Sequence, residues 1–155
     1  MTSAARLHDS LRACGASLST AESLTGGRLA KLLTDVPGSS QTYAGGAVTY
    51  WTALKVDLLG VPAELVEEHG VVSAECAGAM AAGIRSATGT TYGLATTGVA
   101  GPDTQEGKPV GTVFVGVAGP DGTRATRLSL TGGRAAIQDA ACAAALRLLL
   151  DRLPE

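Results

Sequence analysis

Leu7, Leu11 and Cys14 recur at three- and four-residue spacing, which predicts an opening helix over residues 3–14 with one apolar face. Gly15 ends it. The alternation of Ala16, Leu18 and Thr20 then predicts a strand running into Thr20-Ala21-Glu22-Ser23-Leu24-Thr25-Gly26-Gly27-Arg28. Leu29, Leu32 and Leu33 restore a helical period over about residues 27–34, and Asp35-Val36-Pro37-Gly38 breaks it. Residues 41–50 read as a strand, where Gly45-Gly46 suggests a bulge or a close backbone approach. Leu54, Leu58 and Leu59 give a helix over 51–59, ended by Gly60, and Pro62 opens a short helix through Glu68. Ser73, with Glu75 in the first turn, caps a long Ala-rich helix to about Thr88. Strands follow over 91–97 and 110–118. The turn Gly119-Pro120-Asp121-Gly122 pairs the second of them antiparallel with 123–130. An Ala- and Leu-rich helix over 133–153 completes the pattern.

Helices thus alternate with strands for most of the length, with one late hairpin. The expected fold is α/β: a three-layer α/β/α sandwich on a mixed, mostly parallel sheet of about five strands. No linker interrupts the pattern, and 155 residues suit a single domain over 1–155 with a full core.

Composition narrows the function classes. Apolar residues make up 45% and charged residues 17%, which excludes a disordered chain. The net charge of −2 comes with scattered basic residues, so no nucleic-acid partner is expected. One Phe, one Trp and three Tyr give no stacking platform for single strands. Cys14, Cys76 and Cys142 match neither zinc spacing nor a disulfide framework, and the helical patterns around Cys14 and Cys142 predict small buried hydrophobes. The first residues lack an apolar signal core, and no apolar run reaches membrane-spanning length. The expectation is a soluble, cytoplasmic protein with no membrane partner. The Ala-rich helices and exposed glycines are compatible with a homo-oligomer.

The strand–turn–helix layout places Ser23 and Thr25 beside unpaired N–H groups at a helix start, an arrangement that favours an anion. Gly26 and Gly27 let a ligand approach the backbone. The plainer alternative is a capped helix start, with Thr25 or Ser23 as N-cap. The run Ser23-Leu24-Thr25-Gly26-Gly27-Arg28-Leu29-Ala30 recurs as Ser129-Leu130-Thr131-Gly132-Gly133-Arg134-Ala135-Ala136, differing at one place. The flanks differ, so this is shared local physics rather than a duplicated fold. An Arg in the first turn opposes the helix dipole, which points to an outside anion for at least one copy.

A serine–histidine triad has only His8 and His69 to draw on, and both positions suit exposed residues. A serine nucleophile can instead use a lysine of lowered pKa. Of the three lysines, Lys31 reads as solvated and Lys108 lies in a polar loop. Lys55 starts just beyond a strand ending at Tyr50, so Tyr50 and Lys55 can face one cleft; the alternative is a surface lysine. Thr96-Thr97-Gly98-Val99-Ala100-Gly101-Pro102 is a second small-residue loop after a strand. Neither loop is a dinucleotide fingerprint or a P-loop.

Together these motifs resemble the CinA carboxy-terminal domain family, the nicotinamide-nucleotide amidohydrolases. The resemblance rests on Ala21-Glu22-Ser23 with Thr25-Gly26-Gly27, Val36-Pro37-Gly38-Ser39-Ser40, Val48-Thr49-Tyr50 with Lys55, Gly60-Val61 and His69-Gly70-Val71-Val72-Ser73. It continues through Gly98-Val99-Ala100-Gly101-Pro102-Asp103 and Lys108-Pro109-Val110-Gly111-Thr112-Val113, covering about residues 11–150. It implies hydrolysis of the carboxamide of nicotinamide mononucleotide to nicotinate mononucleotide and ammonia, with no metal and no cofactor. Carried over, Ser23 is the nucleophile, Lys55 its general base and Tyr50 an aid to proton transfer. Thr25, Gly26, Gly27, Thr97 and Gly98 contact the substrate, one loop supplying oxyanion donors, and Arg134 takes the phosphate. Two places depart from the family: Thr52 stands where many members have Asn, and Asp103-Thr104-Gln105-Glu106-Gly107 replaces a loop often richer in glycine. The amino-terminal domain of larger members has no counterpart, so the amidase part alone is expected. The alternative is a non-catalytic nucleotide-binding or interaction domain of the same fold. A structural partner of a DNA-uptake or repair system is suggested only by the family's name.

Overall fold

The apolar periodicities resolve into six helices and five strands in the computed structural model, which describes residues 1–155. In order these are α1 (Ser3–Ala13), β1 (Leu18–Glu22), α2 (Arg28–Thr34), a 3-10 turn at Ser39–Gln41, β2 (Tyr43–Val48), α3 (Thr52–Leu59), α4 (Ala63–His69) and α5 (Ala74–Thr88). β3 (Tyr92–Gly98), β4 (Thr112–Gly119), β5 (Gly122–Ser129) and α6 (Arg134–Leu150) follow. The sheet order is β2-β1-β3-β4-β5. β1 runs parallel to both β2 and β3, while β4 is antiparallel to β3 and β5. Four strands therefore share one direction and β4 opposes them, the mixed sheet that the sequence predicts. The register shift places the extra residue at Ala44, opposite the Leu18–Ser19 step, while Gly46 makes the close approach, where a Cβ would sit 2.5 Å from the Thr20 carbonyl oxygen.

Both faces of β1, β3 and β4 are covered, and their residues are nearly all buried. On one face Leu18, Leu94, Val115 and Val117 pack with Leu7 and Leu11 of α1, Leu29 and Leu33 of α2, and Leu146 and Leu149 of α6. On the other, Ala21, Ala95, Phe114 and Ala118 pack with Leu59 of α3 and with Cys76, Ala77, Met80, Ala81 and Ile84 of α5. These are the outer layers of the sandwich. The second layer lies unusually close to the sheet. A Cβ at Gly116 would sit 2.2 Å from the Ala77 carbonyl oxygen, and one at Gly93 would sit 2.1 Å from that of Ala81. Only glycine lets the backbone of α5 descend this far, which brings its first turn down beside the end of β1.

Strand β1 ends in an internal anion. The Glu22 carboxylate, 1% exposed, accepts N–H bonds from Gly27 (3.2 Å), Leu29 (2.8 Å) and Ala30 (3.1 Å). The Thr25 hydroxyl donates to it as well, at 2.7 Å. The expected vacant anion site at the start of α2 is therefore filled by the chain itself, and the helix dipole and free amides that predicted an anion are satisfied from within.

Two substitutions test this framework. Glu22→Gln removes the charge and leaves a donor facing donors, so unfolding in urea should require about 2–4 kcal/mol less. Gly116→Ala presses a methyl group against rigid backbone and should cost about 1–3 kcal/mol. A loss below about 0.5 kcal/mol in either would contradict the packing described.

Candidate active site

Ser23 is the first residue beyond β1. Its N–H donates to Thr96 of β3 at 3.1 Å, and its carbonyl accepts from Gly26 at 3.1 Å, which turns the chain sharply after the sheet. The side chain is thereby presented at the carboxyl end of the parallel strands, where open α/β sheets form crevices. Alongside, Thr49 donates its N–H to the Glu22 carbonyl at 2.9 Å and so carries the β2 backbone past Ser23.

Lys55 reaches the same point from the first half of α3. Its amine lies 2.9 Å from Ser23 Oγ, 2.6 Å from the Thr49 carbonyl oxygen and 3.4 Å from that of Tyr50. The residue is 1% exposed, the largest fully buried side chain of the protein. Burial pushes its pKa below the usual lysine value, against the opposing pull of the Cys76 sulfur and the Glu106 carboxylate. A neutral amine keeps N–H donors for the two carbonyls and offers its lone pair to the Ser23 hydroxyl. After proton transfer the same carbonyls hold the ammonium. The arrangement also explains why β2 ends at Val48 rather than at Tyr50: the next two carbonyls turn inward to Lys55 instead of extending the strand. The Thr49 hydroxyl is buried beside this cluster without a hydrogen-bond partner.

A cavity of 590 Å³ opens over the pair, and Ser23, Tyr50, Lys55, Thr97, Gly98 and Arg134 all line it. The Thr97 hydroxyl donates to the Val71 carbonyl at 2.8 Å, so that side chain holds the wall. Tyr50 meets Lys55 through its carbonyl, and its phenol oxygen accepts from Arg134 Nη2 at 2.9 Å. The phenol thus holds Arg134 at the cavity edge. The other guanidinium nitrogen of Arg134 donates to the Gly101 carbonyl, so the charge spans the mouth.

Thr25, Gly26 and Gly27 lie elsewhere. Thr25 is wholly buried, its hydroxyl bound to Glu22 and 2.8 Å from that of Thr96. Gly26 and Gly27 border a separate groove between α1, α2 and α6. Glu22 is the cause, since the turn wraps around its carboxylate and away from the Ser23 cavity. The two copies of the repeated run consequently differ. Leu128 occupies in the second copy the place of Glu22 in the first, and α6 begins at Gly133 with no side-chain cap and no acidic residue in its first turn. Arg28 pairs with Asp139 at the surface, while Arg134 lines the cavity. The second helix start carries no such internal carboxylate.

His8 corrects an expectation of exposure. It is fully buried, with Nδ1 2.6 Å from the Thr42 hydroxyl and Nε2 2.8 Å from the Leu33 carbonyl oxygen, tying α1 to α2. Cys14 is likewise corrected: it is exposed at the end of α1, whereas Cys76 and Cys142 are buried. Lys31 is exposed and paired with Asp35, as its spacing suggests. No three His, Cys, Asp or Glu side chains converge in a metal-holding group. No helix is long and apolar enough to cross a membrane. Thr52, singled out where the family often has Asn, lines the cavity; sequence reasoning missed Trp51 as a lining residue and the role of Glu106 within the loop, for which the departure at 103–107 is the available signal.

Comparison with known proteins gives a consistent picture. The model of the CinA C-terminal domain matches residues 1–153. A CinA-like protein of Frankia casuarinae is 54% identical over 134 residues, covering 86% of this chain and 31% of that protein. One from Myxococcus xanthus is 46% identical over 152 residues, covering 97% and 36%. The chain spans about a third of the length of the curated relatives it matches. The crystal structure of competence damage-inducible protein A from Klebsiella pneumoniae superposes with a TM-score of 0.94 at 33% identity, over 97% of this chain and 94% of that one. A competence/damage inducible protein from Agrobacterium tumefaciens gives 0.92 at 35%, over 96% and 92%.

The lowered pKa of Lys55 has a stability signature. Below its folded-state value the native protein must bury an ammonium. Between that value and the ordinary lysine value the unfolded chain binds more protons, so stability rises with pH. Relative to Lys55→Met, which lacks the group, the wild type should gain stability in urea unfolding as pH increases through this window. A difference that stays constant would contradict the lowered value.

Proposed function

The chain belongs to the CinA C-terminal domain family, and we propose that its cavity hydrolyses the carboxamide of nicotinamide mononucleotide to nicotinate mononucleotide and ammonia. The observation that carries the proposal is the buried amine of Lys55, 2.9 Å from Ser23 Oγ, at the floor of a nucleotide-sized cavity. The chosen amide follows from the resemblance to the nicotinamide-nucleotide amidohydrolases.

In the proposed reaction neutral Lys55 takes the Ser23 proton as Oγ bonds to the carboxamide carbon. The oxyanion is stabilised by backbone amides of the turn. Leu24 lines the cavity and its N–H has no acceptor within the chain, which makes it the assigned donor. The Lys55 ammonium, held by the Thr49 and Tyr50 carbonyls, gives its proton to the leaving nitrogen, and ammonia departs. Lys55 then takes a proton from water as the water oxygen attacks the ester carbon. It returns the proton to Ser23 Oγ as the acyl–Oγ bond breaks, which frees the acid and restores the hydroxyl and the neutral amine. No metal or cofactor enters these steps. The phosphate is assigned to Arg134 and the uncapped start of α6. Trp51, 75% exposed at the rim, offers its indole face to the nucleotide.

A binding-only domain remains the second reading, and the observation that favours it is Thr52, which lines the cavity where the resembled family often carries Asn. The two are separated by measuring ammonia release and binding together. Trp51 is the only tryptophan, so its fluorescence reports occupancy of the rim directly. The wild type should release ammonia from the nucleotide, and both Ser23→Ala and Lys55→Ala should lose at least about a hundredfold in kcat. The rate should rise with pH through a midpoint below the ordinary lysine value, because only the neutral amine accepts the proton. Fluorescence change without ammonia would establish the binding-only reading, and Thr52→Asn would be the first variant to make. Arg134→Ala should raise KM about 10- to 100-fold with little change in kcat. An unchanged KM would remove Arg134 from the phosphate site.

A further inference from the structure

The loop 101–108 crosses one side of the cavity, and Asp103, Thr104 and Gln105 line it. The opposite strip of wall is Val71 and Val72, between α4 and α5. Glu106 joins the two. Its carboxylate oxygens accept the backbone N–H of Val71 at 2.9 Å and of Val72 at 2.8 Å. Lys108 lies 3.9 Å from the same carboxylate and donates to the Val72 carbonyl, so both polar groups of the Val72 backbone are held by the loop.

Two backbone features serve this contact. Glu106 is the only non-glycine residue in the left-handed region, at φ 54°, a conformation disfavoured for its side chain. Gly70 leaves the opposing space empty, since a Cβ there would lie 2.6 Å from a Glu106 carboxylate oxygen. A strained glutamate pressed into a gap that only glycine provides is more than a surface ion pair requires. The same contact passes onward, because Thr97 binds the Val71 carbonyl from β3.

We propose that Glu106 is a positioning residue of the Ser23–Lys55 site. By latching the loop 101–108 onto Val71 and Val72 it fixes the cavity wall beside the pair. This rests on the reading of the Ser23–Lys55 cavity as the working site. Three groups bear on the Lys55 amine, Ser23 by contact and the other two through their charge. Ser23 comes from the end of β1, the Cys76 thiol from α5, and Glu106 from the loop. Burial pushes the Cys76 thiol up to about 11, and the Glu106 carboxylate is the anion that the loop adds. Removing that anion lets burial lower the Lys55 pKa further.

The test needs no substrate, so its outcome is independent of which amide is cleaved. In Glu106→Gln, amide hydrogen exchange at Val71 and Val72 should quicken by about tenfold or more. The pH midpoint of Lys55, followed by the ¹³Cε resonance, should fall below that of the wild type. Amides of β3 and β4 should keep their protection and serve as the control for folding. Slow exchange at Val71 and Val72, or an unmoved Lys55 midpoint, would overturn the proposal. Equal loss of protection in β3 and β4 would overturn it too, since Glu106 would then be a general stabiliser. Lys108→Met gives a second reading: it should quicken exchange at Val72 while leaving the Lys55 midpoint no lower than in the wild type. A midpoint that falls as far as in Glu106→Gln would show that disturbing the loop, not the lost charge, moves Lys55.

Discussion

A primary amine buried at the end of a sheet needs acceptors, and the structure around Lys55 is arranged to provide them. The backbone leaves β2 two residues early so that the Thr49 and Tyr50 carbonyls turn inward, and Ser23 supplies the third partner from the end of β1. Burial without these partners would cost several kcal/mol, and burial with them still disfavours the ammonium. The outcome is an amine held in contact with a hydroxyl and biased toward its neutral form. Thermodynamically that is a burden on the fold. Chemically it is a base, and such conflicts between local stability and placement mark working sites.

The rest of the architecture keeps this contact in register. The close descent of α5 onto Gly93 and Gly116 sets the depth of its layer, and Gly83 of α5 packs against the Leu59 carbonyl at the end of α3. That contact fixes the helix carrying Lys55. On the other side Glu22 gathers the amides of α2 and pins the turn that follows Ser23. One internal carboxylate therefore satisfies the first helix start and rigidifies the serine turn. The start of α6 is left open at the cavity mouth, with Arg134 beside it. The same eight-residue pattern is used once for structure and once facing a ligand space, and the residue before it, Glu22 or Leu128, decides which.

Much of this was legible from residue spacing. The layers, the late hairpin and all five strands follow from alternation and helical period, and Ser23 and Lys55 follow from strand ends and elimination among the lysines. What was hidden depends on side chains that fold back on their own chain. Nothing in the spacing of Glu22 says that it will turn under Ser23 and occupy the helix start. The turn was therefore read as open, and Thr25, Gly26 and Gly27 were drawn into a cavity that they do not border. His8 looked like a surface residue because its partners, Thr42 and Leu33, lie more than twenty positions away. Tyr50 was placed at the correct cleft, but its phenol contact with Arg134 spans 84 residues of sequence. Glu106 was visible only as an irregular loop. Local physics showed where the backbone turns; long-range hydrogen bonds decided what the turns hold.

The central claim is that Ser23, activated by Lys55, forms a covalent acyl intermediate. The most direct measurement is intact-mass and peptide analysis of the protein mixed with nicotinamide mononucleotide and quenched in acid within a single turnover. The account predicts a chain heavier by the nucleotide less one ammonia, with the added mass on the peptide containing Ser23 and absent from Ser23→Ala. Full ammonia release with that peptide unmodified at every quench time would contradict it and point to direct attack by water.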